Sequence, residues 1–190
     1  MTYPYWCLFA LMWLAWAGYW WMASYNVKAI ARREPLRSRL LHFVPIIAAM
    51  ALLWLPDSPV PVLGERFLPD AMWPSWLGVL ITLAGLLFAA WARVQLGRNW
   101  SATITVKQDH DLITSGPYSF VRHPIYTGLL LGLAGIGVAR AEWRGVLAVA
   151  LAFGAFWRKL RIEERWMREQ FGDAYEEYAR RTAALVPYVL

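Results

Sequence analysis

The chain has 190 residues, 59% of them apolar, and a mean hydropathy of +0.36, too apolar for an ordinary globular surface, so lipid is the expected solvent. Its net charge of +6 is spread between apolar segments with no separate basic domain or arm, which argues against a nucleic-acid partner. The one cysteine, Cys7, excludes an intrachain disulfide and offers no thiolate cluster, so no metal site is expected.

From Met1 to Val27 no side chain is charged, a length sufficient to cross a hydrocarbon core of about 30 Å. A cleavable signal peptide would want a basic stretch before a shorter apolar run, and none precedes this one. Further apolar runs go from Leu40 to Leu55 and from Met72 to Ala92. Between them Asp57 to Asp70, with Pro59, Pro61 and Pro69, reads as a constrained surface loop with no room for a catalytic constellation.

Two shorter runs, Pro124 to Ala139 and Gly145 to Trp157, are separated only by Arg140 to Arg144. They predict a tight helical hairpin in which Arg140 and Arg144 snorkel and Trp143 sits in the headgroup layer. The thirteen tryptophans suit such interfaces. Five spans result. Sixteen of the nineteen Lys and Arg residues then fall on one side, against Arg66, Arg140 and Arg144 on the other. The positive-inside rule puts the N-terminus outside and the C-terminus in the cytosol, in a prokaryotic inner membrane.

The expected fold is an all-α polytopic membrane protein. It forms one membrane domain, with three N-terminal helices in residues 1–92 and a functional half in 93–190, where a cytosolic connector and C-terminal helices make the pocket. No internal repeat is evident. The connector, Gln95 to His123, is irregular, with Thr103 to Val106 able to be extended and Ser115-Gly116-Pro117 supplying a turn. Pro124 suits the first turn of a helix, which puts His123 at that helix's mouth; the free N–H groups there could hold an anionic group beside His123 and Arg122. In the tail, Leu160, Trp166, Met167 and Phe171 interleave with charges, as in a helix leaving the bilayer along its surface. Gly172 predicts its stop, and Asp173 followed by Glu176 the start of another helix.

Glu163 and Glu164 lie among Arg158, Lys159, Arg161, Arg165 and Arg168. By charge pattern alone they fit an interfacial helix with compensating ion pairs such as Lys159–Glu163. Arg122 fits a headgroup anchor, His123 a helix cap, and Tyr118 and Tyr126 interfacial aromatics. Residue chemistry alone therefore outlines a polar cytosolic pocket without naming a reaction.

The strings His110-Asp111-Leu112-Ile113-Thr114-Ser115-Gly116-Pro117-Tyr118 and Arg122-His123-Pro124-Ile125-Tyr126 go further. With Glu163-Glu164, Phe171-Gly172, Tyr175-Glu176-Glu177-Tyr178 and Pro187, they resemble the isoprenylcysteine carboxyl methyltransferase (ICMT) family over roughly the last half of the chain. The resemblance implies S-adenosyl-L-methionine as cofactor, bound by His110, Asp111, Leu112, Ile113, Tyr118, His123, Pro124, Ile125, Tyr126 and Glu163. It also implies an acceptor-binding position one turn before Glu163, an arginine in the family and Lys159 here, and lysine lacks arginine's bidentate fork.

The implied reaction is in-line methyl transfer to a lipophilic acceptor entering from the bilayer, such as the carboxylate or thiol of a prenylcysteine-like compound. A protonated nucleophile would need a base, for which Glu164 and His123 stand nearby in sequence. A phospholipid or small-thiol methyltransferase, a sterol-type reductase using NADPH, and a non-enzymatic membrane scaffold are the competing readings.

Overall fold

The computed structural model describes residues 5–25, 27, 30–58, 60–100, 105–107 and 111–187. Five long helices dominate: α1 (Tyr5–Ala23), α2 (Leu36–Trp54), α4 (Met72–Leu96), α5 (Pro124–Arg140) and α6 (Trp143–Phe171). A single helical turn, α3 (Pro61–Gly64), sits in the proline-constrained loop between α2 and α4, where proline opens it at its first positions. The C-terminal α7 (Asp173–Arg181) follows α6 directly. By length and composition α2 and the helix from Met72 are apolar enough to span a membrane, and α5 is a shorter apolar helix.

The all-α expectation needs one amendment. Two short strands, β1 (Ile30–Arg33) and β2 (Thr105–Lys107), pair antiparallel with Arg33 opposite Thr105 and an irregularity between Ile30 and Arg32. β2 falls where extended backbone is predicted, although Thr103 lies outside the described residues. β1 carries Arg32 and Arg33 in a short charged stretch with no alternation to reveal it.

The helices form an arc in which α1 packs on α4, α4 on α5, α5 on α6 and α6 on α2. Its tightest seam is α4 against α5. A Cβ on Gly78 would lie 2.3 Å from the Gly135 carbonyl oxygen, and one on Gly85 2.5 Å from that of Gly128. Side chains are therefore excluded where the two backbones touch, the small-residue packing used where lipid removes any hydrophobic drive for helices to associate. The Thr82 hydroxyl crosses the seam to donate to the Gly132 carbonyl at 3.0 Å.

The turn between α5 and α6 consists of Ala141 and Glu142, with Ala141 in the left-handed region at φ 57°. Arg140 and Arg144 do not snorkel: both are buried. Arg140 donates to the carbonyls of Leu53 at 2.7 Å and Pro56 at 3.1 Å, and Arg144 to those of Leu55 at 2.9 Å and Pro56 at 3.0 Å. The carbonyls at the end of α2 have no helical partner, so the two guanidinium groups satisfy them, and Glu142 pairs with both.

α6 runs 29 residues without interruption, continuing past Trp157 into the charged segment. Gly172, at φ 52°, ends it as the sequence predicts and opens α7, whose first turn carries Asp173 and Glu176.

The seam is testable. Gly85→Ala pushes a methyl into the Gly128 backbone and should destabilise the protein by about 1–3 kcal/mol, whereas Gly154→Ala, with nothing within 4 Å of the added carbon, should not. Thermal unfolding in detergent measures both; equal midpoints would count against the packing described.

Candidate active site

A cavity of about 390 Å³ opens where the connector, the start of α5, the extension of α6 and α7 converge. Asp111, Leu112, Ile113, Tyr118, His123, Ile125, Tyr126, Lys159 and Glu163 all line it. Pro124 is buried behind the wall as the first residue of α5, where its missing N–H costs nothing. His110 lies outside the described residues.

One polar wall is built on a stacked column. The His123 and Tyr126 rings lie 5.5 Å apart and 5° from parallel, and Phe156 stacks on Tyr126 at 5.0 Å. The Tyr126 hydroxyl donates to Glu163 at 2.5 Å, and the second Glu163 oxygen is 3.6 Å from His123 Nδ1. Lys159, buried, places its ammonium 5.1 Å from the centre of the Tyr126 ring. Its neighbours turn away from the cavity: Arg158 donates to the Ser38 carbonyl and hydroxyl and to His42, and Arg161 is exposed beside Trp157. Of Arg158, Lys159 and Arg161, it is Lys159 that lines the cavity.

Arg122 and Glu164 are committed elsewhere. Arg122 meets Glu164 through Nε and Nη2, both at 2.8 Å, and donates to the carbonyls of Ala179 and Thr182. The backbone N–H groups of Arg122 and His123 go to the Ala183 and Ala184 carbonyls, and the Thr127 hydroxyl donates to that of Leu185. The anion seat expected beside Arg122 is thus already filled by the Glu164 carboxylate and tail carbonyls. His123 Nε2 also lies 3.3 Å from Glu164.

Burial pushes the Glu164 carboxyl up, but the hydrogen bonds and charges of His123 and Arg122 outweigh it and bring it down to about 2. So strong an acid is a poor proton acceptor at neutral pH, and it lies outside the lining of the cavity. Burial raises the phenols of Tyr118, Tyr175 and Tyr178 well above their ordinary value, which keeps them neutral along the cavity lining.

The opposite wall is apolar and was not foreseen in the sequence. Trp16 and Trp20 of α1 stack at 4.5 Å, Trp20 meets Trp100 edge-on at 5.4 Å, and Phe43 and Ile46 of α2 face them. Arg93, buried, lies 4.6 Å over the Trp100 ring and donates to the carbonyls of Ala23 and Gly97, tying the end of α1 to α4. Asn99 adds a polar edge, its amide 3.4 Å from the Asp111 carboxylate. These tryptophans read as interface markers in sequence because nothing in a one-dimensional pattern separates a ring facing lipid from one facing a cavity.

Comparison with known proteins places this geometry. The family model for Phospholipid methyltransferase (PEMT) matches residues 73–174. A rice protein (Oryza sativa subsp. indica) named "Probable protein-S-isoprenylcysteine O-methyltransferase" is 30% identical over 161 residues, covering 83% of this chain and 84% of its own length. The chain belongs to the isoprenylcysteine carboxyl methyltransferase family. Its similarity to the cobalt-zinc-cadmium resistance protein CzcN of Cupriavidus metallidurans is 36% over 129 residues, 66% of this chain and 58% of that protein. The solved eukaryotic intramembrane Ras methyltransferase ICMT shares the fold, with a TM-score of 0.57 at 21% identity over 78% of this chain and 52% of its own. The region matched by the Phospholipid methyltransferase model holds the close α4–α5 seam and the stacked column, whereas α1 and α2 lie before it.

The lowered Glu164 value sets a pH dependence. Its unfolded value is near 4.5, so its stabilisation, on the order of 3 kcal/mol, is complete above that pH and is lost as pH falls toward 2. Thermal midpoints in detergent should show wild type well above Glu164→Gln at pH 6, with the two converging as pH drops below 4. A constant gap across that range would contradict the buried ion pair.

Proposed function

We propose that the protein is an S-adenosylmethionine-dependent methyltransferase acting on a lipophilic, membrane-held acceptor whose nucleophile is a carboxylate of the prenylcysteine type. One observation carries this reading: a single cavity joins a polar wall drawn from the motif residues to an apolar wall of α1 and α2, helices that hardly pack on each other. On one half of the bundle Phe9 fills the space between them in a buried cluster with Ala49 and Leu53; on the other half the cavity does. A gap between apolar helices is a route for a lipid chain, while the tyrosine-rimmed end admits a polar molecule from the aqueous side.

The residues suit the cofactor's chemistry. Glu163 and Asp111 provide acceptor oxygens for hydroxyl and ammonium groups, the His123–Tyr126–Phe156 column offers π-faces to a cation, and Leu112, Ile113 and Ile125 supply apolar contact. When bound, the cofactor supplies an electrophilic methyl group on a sulfonium. Tyr126 and His123 hold Glu163 in place, Lys159 attracts the acceptor carboxylate, and the apolar wall excludes water so that the donor and nucleophile meet in line. An ionised carboxylate needs no proton acceptor. That agrees with the commitment of both sequence-adjacent candidates: Glu164 is pinned by Arg122, and His123 is shared between two carboxylates.

The topology proposed is five spans with the N-terminus outside and this cavity opening to the cytosol, consistent with the sixteen basic residues on that side. Arg161 and Arg165 on the exposed face of α6 beyond Trp157 suit contact with lipid headgroups.

Incubating the purified protein with methyl-labelled S-adenosylmethionine and total membrane lipid should label an acidic lipid as its base-labile methyl ester. Label appearing only in an amine or thiol would overturn the carboxylate assignment. Glu163→Gln should weaken cofactor binding by roughly ten- to a hundredfold, the worth of one charge-assisted hydrogen bond. Glu176→Gln, at a surface pair with Arg168, should be nearly silent. Calorimetry in detergent compares the two, and equal effects would remove Glu163 from the site. Lys159→Gln should raise the acceptor KM by about tenfold while leaving cofactor affinity unchanged; the reverse pattern would move Lys159 to the cofactor side.

A further inference from the structure

The apolar end of the cavity stops at one level on the helices around it. Trp16 of α1, Ile46 of α2, Leu129 of α5 and Phe156 of α6 all line it. One turn farther along each helix stand Trp13, Ala49, Leu133 and Ala152, and none of these lines it. Ala49, Leu133 and Ala152 are buried in the core.

The side chain that crosses this level is Trp13. α1 packs on α4, yet the Trp13 ring reaches past Leu86 of α4 to α5. A Cβ on Gly132 would lie 3.2 Å from Cζ2 of that ring and 3.4 Å from Cδ2 of Leu86, so a glycine on α5 is what leaves room for it. On the cavity side Trp16 meets Trp13 edge-on at 5.7 Å and stacks on Trp20 at 4.5 Å, which braces the ring. The Trp13 Nε1–H is buried and has no hydrogen-bond partner among the described residues. An unpaired donor is destabilising, and what the indole supplies against it is reach, a flat apolar ring long enough to span from α1 to α5. Beyond it Phe9, fully buried, fills the bundle with Ala49 and Leu53.

We propose that Trp13 is the floor of the acceptor site and sets the length of hydrocarbon chain the enzyme takes. That such a chain lies in the cavity rests on the proposed function; the closure of the cavity by Trp13 rests on the geometry alone. Trp13→Leu keeps the position apolar and loses no hydrogen bond, but its side chain is too short to reach α5. The floor then drops toward Phe9 by about one helical turn, roughly 5.4 Å, close to the length of one isoprene unit. Leu129→Trp works in the opposite sense by filling the lining just above the floor.

Carboxylic acids bearing S-linked geranyl, farnesyl, geranylgeranyl and geranylfarnesyl chains give a profile of kcat/KM against chain length in detergent. Wild type should pass through an optimum and lose about tenfold or more at the next longer chain, as a closed apolar pocket does. Trp13→Leu should move the optimum one isoprene unit longer and Leu129→Trp one unit shorter. An optimum unmoved by either substitution would overturn the proposal.

A binding test without the cofactor places a diazirine at the chain end of the shortest and longest of these acids and maps the adducts by mass spectrometry. In wild type neither probe should reach Phe9 or Leu53, whereas in Trp13→Leu the longest should label them. Equal labelling of Phe9 and Leu53 in the two proteins would overturn the floor. If Ile46, Leu129 and Phe156 are labelled but no acid is methylated, the proposed reaction is wrong and the depth of the adducts still decides the floor. Absence of any adduct on those three residues would remove the lipophilic acceptor from the cavity, and the chain-length role of Trp13 with it.

Discussion

The buried Arg122–Glu164 ion pair is the constraint on which the cavity depends. Arg122 lies two residues before α5, Glu164 sits on the extension of α6, and the same guanidinium reaches the Ala179 and Thr182 carbonyls at the end of α7. Three segments far apart in sequence are thereby fixed at one point, and His123 is held beside the Glu164 carboxylate by the same arrangement. A buried pair of this kind adds little net stability over an apolar contact, but losing one partner leaves an uncompensated charge. Its value lies in specifying a geometry. Glu163, the preceding residue on α6, then points to Tyr126 and His123 because its neighbour is anchored.

Much of this could be read in the sequence where a local rule applies. Pro124 announces the start of α5, Gly172 the end of α6, and Asp173 with Glu176 the short helix after it, because each reports on backbone geometry within a turn of itself. The cavity residues of the motif strings were legible as a set, and the structure brings Asp111, Tyr118, Tyr126 and Glu163 to one cavity across more than fifty residues of chain. What stayed hidden depends on which long-range partner a side chain finds. Arg140 and Arg144 look like headgroup anchors by position, but the open carbonyls of α2 take their guanidinium groups. His42 sits in an apolar run with no motif around it, and Trp16 and Trp20 in one too aromatic for any single ring to stand out. Arg122 was placed correctly and given the wrong partner, since sequence does not show that a carboxylate forty-two residues later fills the seat.

The arc of helices divides the labour of the fold. At its centre α4 and α5 meet through glycine backbones with no side chains to rearrange, which makes a stiff spine. At its ends α1 and α2 are held mainly by one neighbour each and by terminal clamps: Arg93 at the end of α1, Arg140 and Arg144 at the end of α2. The stiff centre carries Tyr126 of the polar wall, and the looser ends form the apolar wall of the cavity.

The docking of Ala183, Ala184 and Leu185 against the start of α5 has a consequence for how the molecule is made. These carbonyls take the N–H groups of Arg122 and His123 and the Thr127 hydroxyl, so until residue 185 has left the ribosome those donors have only water to turn to. The five long helices can be in place while the mouth of α5 is still unfinished. Closure of the candidate site therefore waits on the segment that docks there.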